Sequence, residues 1–306
     1  MFESPEDLSM RLRSTGYFIA PVMTTVIFLA ARLHIPLILE GPPGTGKTQL
    51  ALAVAAATET HIERLQCHEG ITDKQAIGEF DQGLQRLYME FSKGDGLTWK
   101  EIVQTIKGRD FFRPGPVMRA FESKRRCVLL IDEIDKVERA KEAFFLESLS
   151  DYQLSIPELG TLQATSIPFT AITSNEERPL GDALRRRCLY VRVEHQTIKR
   201  ETEIIRSRTP DASDAFHREI AGIGRSFRNY SLEKPPAVSE MIVLAKALQL
   251  LGKEHVTEDL REVLLPFLAK TEKDRRHLLI REGFASLLAD GSRFAKEMAV
   301  TGESAP

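Results

Sequence analysis

Eight residues, Gly41-Pro42-Pro43-Gly44-Thr45-Gly46-Lys47-Thr48, fit the spacing G-x-x-x-x-G-K-[ST], and their types suit the holding of a phosphate chain. The glycines permit a tight turn that points successive backbone N–H groups inward, and the helix that begins near Gln49 adds the positive end of its dipole. Lys47 supplies a mobile positive charge for the β- and γ-phosphates of ATP, and the Thr48 hydroxyl is a ligand suited to Mg²⁺. A Gly/Pro connection with no ligand would not need all of Gly41, Gly46, Lys47 and Thr48 together.

A second constellation follows far downstream. Val128-Leu129-Leu130-Ile131-Asp132-Glu133 is four apolar residues ending in two acids. A buried parallel strand of that kind delivers carboxylates at its C-terminal end, where open α/β sheets bind ligands. Asp132 would then hold Mg²⁺ and Glu133 would orient and polarise the attacking water. Asp135 reads as a surface residue or as one that supports the site's ligands from behind. Thr173-Ser174-Asn175 closes the next strand; Asn175 suits a water or the γ-phosphate, and an ordinary strand-ending turn with a local cap fits the same residues. Finally, Asp182-Ala183-Leu184-Arg185-Arg186-Arg187-Cys188 sets three arginines at the end of a short helix. They compensate a helix dipole or, in an oligomer, one of them reaches a neighbouring subunit's nucleotide as an arginine finger.

The elements that must position these groups alternate strand and helix from Ile35 to about Val193, which implies a largely parallel sheet covered on both faces. Strands are expected at Ile35–Glu40, His61–Gln66, Cys127–Ile131, Phe169–Thr173 and Leu189–Val193. Helices are expected at Val22–Leu33, Gly46–Ala57, Thr72–Phe80, Pro116–Ser123, Ala140–Asp151 and Pro179–Arg186. Asp81–Asp110, which carries the only tryptophan, Trp99, reads as an insertion of the kind that bears a function or an oligomer contact. Gln153–Ala164 alternates around Glu158-Leu159-Gly160 and suggests a β-hairpin. Beyond Glu194 the pattern is helical only, at Thr197–Arg208, Ala212–Arg228, Ser239–Leu251, Thr257–Ala269 and Thr271–Leu288. The expected organisation is therefore an α/β nucleotide-binding domain over 1–194, an all-α lid over 195–290 and a flexible tail over 291–306.

The chain of 306 residues carries 42 Lys and Arg against 44 Asp and Glu, a net charge of −2, which argues against a general nucleic-acid binder. Cys67, Cys127 and Cys188 lack the spacing of zinc or redox sites and read as reduced thiols of a cytoplasmic protein. The seven histidines show no metal-binding spacing, and no G-x-S-x-G elbow is present. The acidic N-terminus lacks a secretory pattern, and Pro21, Arg32, His34 and Pro36 break up Gly16–Leu39 before it reaches the roughly 20 apolar residues of a membrane span.

Taken in order, these motifs resemble an AAA+ ATPase, a P-loop NTPase with a parallel five-stranded sheet. More closely they resemble the MoxR family, and within it the accessory ATPases that help mature carbon monoxide dehydrogenase. The closer likeness lies in Arg64-Leu65-Gln66-Cys67-His68-Glu69-Gly70, Phe112-Arg113-Pro114-Gly115-Pro116, Ile156-Pro157-Glu158-Leu159-Gly160-Thr161 and Ile172-Thr173-Ser174-Asn175. The resemblance implies that Gly41–Thr48 is the Walker A loop, that Asp132 and Glu133 are the Walker B acids and that Asn175 is sensor 1. It makes Arg187, directly before Cys188, the finger in preference to Arg186 and Arg185. It sets Gly16–Ile19 near the adenine and Gln66 as a polar switch that restrains Glu133. It also implies a ring, a homo-hexamer, working with a von Willebrand A domain protein on a client metalloenzyme. The family's sensor 2 arginine is absent from the matching stretch, Pro235-Pro236-Ala237-Val238-Ser239-Glu240, so either another lid arginine takes the role or lid closure is less tightly tied to the γ-phosphate. A DNA-directed AAA+ motor of clamp-loader or restriction type shares every ATP motif. A small-molecule kinase and a nucleotide-sensing scaffold share fewer.

Overall fold

The computed structural model describes residues 1–92, 96–230, 232–279 and 281–301, without the side chains of 281, 282 and 298–301. It divides into two compact units: Met1–Thr15, Ile19–Gly41 and Lys47–Val193 form the first, and Gly16–Phe18, Pro42–Gly46 and Glu194–Pro306 the second.

The first unit begins with helices α1 (Pro5–Ser14) and α2 (Pro21–Leu33), each with proline in its first turn, where no N–H partner is needed. Sequence patterning missed α1. Then come β1 (Leu37–Glu40), α3 (Lys47–Ala57), β2 (Ile62–Gln66) and α4 (Asp73–Ile77). The helix expected over Thr72–Phe80 stops at Ile77, because β3 (Gly78–Phe80) pairs antiparallel with β4 (Phe112–Pro114), beyond α5 (Gln82–Phe91) and α6 (Trp99–Ile106). This ribbon closes the base of the insertion, whose helices start on Asp81 and Thr98 caps and leave Leu84, Leu87, Phe91 and Trp99 exposed. Residues 93–95 of the insertion lie outside the described residues.

The chain continues through α7 (Pro116–Glu122), β5 (Val128–Asp132), α8 (Glu142–Ser150), the hairpin β6 (Gln153–Ile156) and β7 (Gly160–Gln163), β8 (Phe169–Ser174), α9 (Asp182–Arg186) and β9 (Leu189–Arg192). The sheet has five strands in the order β2-β5-β8-β1-β9, every pairing parallel. All residues of β1, β5 and β8 are buried, which is why these strands read as continuous apolar runs.

The second unit holds α10 (Ile198–Arg208), α11 (Asp214–Asn229), α12 (Val238–Leu250), α13 (Arg261–Leu268), α14 (Glu272–Leu279) and α15 (Arg281–Thr301) around a core that includes Phe216, Phe227, Leu244, Leu248 and Phe284. The helix expected over Thr271–Leu288 is covered by α14 and α15, and residue 280 between them lies outside the described residues. The tail expected from Gly291 is helical to Thr301, and 302–306 lie outside the described residues. The physical reason is the close crossing of α11 and α15: a Cβ on Gly222 would sit 2.3 Å from the Gly291 carbonyl oxygen, so bare glycine backbones meet there and extend the packing.

Candidate functional site

The phosphate-loop sequence leaves β1 and runs into α3. Thr45 is buried, and its hydroxyl donates to the Pro42 carbonyl at 3.0 Å, which fixes the turn. Gly44 has φ +77°, and a Cβ there would lie 2.1 Å from Cβ of Ala237, the residue before α12, so both the left-handed backbone and the close approach require glycine. The Tyr17 hydroxyl donates to the Gly46 carbonyl at 3.2 Å, while Gly16 faces Ser207 and Arg208 of α10. Pro43 and Gln49 are exposed, so Gln49 offers a phosphate only its backbone N–H.

Lys47 is buried, and its ammonium donates to the Gly41 carbonyl at 2.7 Å. Burial pulls its pKa down; Asp135, Glu176, Asp132 and Glu133, in that order, oppose the shift. These carboxylates surround Lys47 with negative charge that Arg64, Lys136 and Arg192 partly offset.

Strand pairing brings the next residues together. Thr48 Oγ1, one residue into α3, donates to Asp132 Oδ1 at 2.9 Å, and Thr173 Oγ1 of β8 donates to the same oxygen at 2.5 Å. Asp132 Oδ2 accepts from Arg64 Nη2 at 2.5 Å. Thr48 and Asp132 are hard oxygen donors with the buried acid fixed in place, the chemistry that suits Mg²⁺. Glu133 follows at φ 59° and ψ 50°, a left-handed conformation unusual for a side-chain-bearing residue, and its N–H is held by Thr173 Oγ1 at 2.9 Å. Its carboxylate accepts from Gln66 Nε2 at 2.9 Å and Lys136 Nζ at 2.8 Å.

Of the two readings of Asp135, the surface one does not hold. It is buried, and its Oδ2 accepts from the N–H groups of Asn175 at 2.9 Å and Glu177 at 3.0 Å, so the loop carrying Asn175 hangs from it. Arg178 completes the tie by donating to the Val137 carbonyl at 2.5 Å and pairing with Glu142 at 2.7 Å. Asp135→Ala would orphan two N–H groups at about 1–3 kcal/mol each. The expected outcome is at least about tenfold slower ATP turnover with ATP affinity retained, read by phosphate release and equilibrium binding.

The three arginines separate. Arg185 is tied to the buried Glu40 at 2.9 Å and lies over the Tyr190 ring at 5.2 Å, both contacts within its own chain. Arg186 and Arg187 are exposed, and Arg187 Nη1 donates to the Ala183 carbonyl at 3.1 Å. Glu240, at the position where a sensor 2 arginine would stand, accepts from the Ala237 N–H at 2.7 Å and pairs with Lys270 at 3.1 Å, a capping role. The cysteines are free, and burial pushes Cys67 and Cys188 up to about 12 and Cys127 up to about 11, which removes thiolate chemistry near neutral pH.

Sequence reasoning missed Glu40 and Arg178 and left the place of Asp135 open. Glu40 left one signal, a carboxylate closing an otherwise apolar buried strand.

A parallel sheet ordered β2-β5-β8-β1-β9, with a phosphate-loop lysine after β1 and paired acids after β5, defines a P-loop nucleotide-binding protein of the AAA+ type. Residues 36–188 match the AAA domain (dynein-related subfamily), and the chain belongs to that family. Membership implies nucleotide binding and ATPase activity. Among similar curated proteins, the uncharacterized protein SH1500 of Staphylococcus haemolyticus is 25% identical over 223 residues, covering 71% of this chain and 76% of its own. The uncharacterized protein SAB1265c of Staphylococcus aureus is 24% identical over 172 residues, 53% of this chain and 57% of its own. Among solved structures, a Thermotoga maritima RuvB described as a Holliday junction branch migration motor aligns with TM-score 0.49 and 20% identity over 90% of this chain and 76% of its own. No helix among the described residues is long and apolar enough to cross a membrane.

Proposed function

We propose that this chain is a MoxR-type AAA+ ATPase that hydrolyses ATP as a ring, a homo-hexamer in the cytoplasm, and uses the cycle to remodel a client metalloenzyme or assist its cofactor maturation. A von Willebrand A domain protein is the proposed partner, and the exposed Leu84, Leu87, Phe91 and Trp99 of the insertion support a partner contact there. The observation that carries the catalytic reading is the junction of two motifs, Thr48 of the phosphate loop bonded to Asp132, with Thr173 tying Asp132 to the backbone of Glu133.

In this reading Gly44, Thr45, Gly46 and Gln49 offer backbone N–H groups to the phosphates, Pro42 and Pro43, which have no N–H, shape the turn, and Lys47 neutralises the β- and γ-oxygens. Thr48 and Asp132 hold Mg²⁺, whose chemistry when bound is neutralisation of phosphate charge. Glu133 orients a water and takes its proton; Asn175 positions that water beside the γ-phosphate; Arg187 of a neighbouring copy stabilises the charge that develops on transfer.

The test is phosphate release by the full chain with Mg²⁺ or EDTA, with and without DNA. Mg²⁺-dependent release that DNA leaves unchanged supports the proposal. No release would end the ATPase reading, and a strong, salt-sensitive stimulation by DNA would replace the client with a nucleic acid.

A further inference from the structure

We propose that Glu40 is a positioning residue for the finger arginine: through Arg185 it holds α9 so that Arg187 is presented in a fixed place to the neighbouring copy's nucleotide. The inference rests on the ATPase reading with a finger in trans and names what seats that finger.

Helix α9 is too short to hold its own place. It has five residues, of which only Leu184 is buried, and Arg187 caps its end. A helix of little more than one turn gains little from its own hydrogen bonds, so its place is set by what grips it. Two buried carboxylates do so. Glu142 of α8 accepts from the N–H of Gly181, at the start of α9, at 3.0 Å. Near the other end Glu40 accepts from Nη2 of Arg185, two residues before Arg187, at 2.9 Å.

Glu40 closes β1, whose other three residues are apolar, and its side chain is 5% exposed against 39% for that of Arg185. The acid is therefore the fixed partner and the arginine the one it directs. Buried ion pairs often add no stability over apolar side chains of the same volume, and what this one contributes is geometry. Its three donors show what it joins. Oε2 accepts from Arg185 of α9 and from the Tyr190 hydroxyl of β9 at 2.8 Å, and Oε1 accepts from the Ser174 hydroxyl of β8 at 3.2 Å. Ser174 directly precedes Asn175, and its carbonyl accepts from the Gly41 N–H at 3.2 Å. Gly41 follows Glu40, and its own carbonyl takes the Lys47 ammonium. One carboxylate thus joins the strand ends that carry the phosphate loop and Asn175 to the helix that carries Arg187.

Two variants loosen the grip from opposite sides. Glu40→Gln keeps the volume and loses the charge, and because an amide cannot accept at both ends, one of the donors meets an NH₂ in place of an oxygen. Arg185→Met removes the guanidinium. A displaced Arg187 should lower kcat by about 3- to 10-fold in Glu40→Gln and about 10- to 100-fold in Arg185→Met, with equilibrium binding of a fluorescent ATP derivative unchanged within about twofold. Mixing shows on which pocket the loss falls. Mixed with Glu133→Gln subunits, each variant should exceed the sum of the separate activities, because its own intact pocket then meets a well-seated Arg187. Mixed with Arg187→Ala subunits, it should not. The reverse pattern would place the effect in the variant's own phosphate loop and overturn the inference. So would a Glu40→Gln chain with unchanged or raised kcat, the result expected if Arg185 itself were the finger and Glu40 its resting place. If Arg187→Ala and Glu133→Gln subunits fail to restore each other, the finger in trans falls and this inference with it. If they do restore each other while the Glu40→Gln and Arg185→Met chains behave otherwise, only this inference falls.

Discussion

Replacing Glu133 by Gln is expected to leave ATP bound and to slow its turnover by about 10²- to 10⁴-fold. The substitution preserves shape and the left-handed backbone at this position, whose N–H stays on the Thr173 hydroxyl. It removes the proton-accepting charge. Lys47, Thr48 and Asp132 are untouched, so equilibrium binding of ATP should match the unmodified chain while steady-state phosphate release collapses. Turnover at the unmodified rate with normal affinity would show that another group orients the water.

The second large effect is expected at Arg187. Fingers that stabilise transferred phosphate contribute about 10³ to 10⁵ in rate in other systems, so Arg187→Ala should lose most turnover while each subunit's own loop still takes ATP. Arg185 is held within its own chain by Glu40 and the Tyr190 ring. Arg187 is exposed at the end of α9, bonded among the described residues to the Ala183 carbonyl, and so is free to reach outward. Mixing Arg187→Ala subunits with Glu133→Gln subunits should restore part of the activity, since some interfaces then combine an intact Glu133 with an intact Arg187 lent by the neighbour. Mixed rings that stay inactive would leave the assignment in trans without support.

The parts of the site legible in sequence were those whose chemistry is local. The phosphate loop is a contiguous turn with its own glycines, and β1, β5 and β8 announce themselves as apolar runs because both faces are buried. Asp132 and Glu133 were readable because they end such a run. Contacts made across strands were not readable. Arg64 meets Asp132 only through the register of β2 on β5, and Asp135 is defined by N–H groups on the loop after β8. The β3 and β4 ribbon escaped notice because each strand is three residues long, too short for alternation to show.

The most direct test of hydrolysis completed by a neighbour is turnover per subunit measured across a dilution series, with assembly mass followed by light scattering on the same samples. Turnover per subunit should rise with protein concentration in step with ring formation and vanish where only monomers remain. A constant turnover per subunit, down to dilutions at which the chain is monomeric, would contradict it.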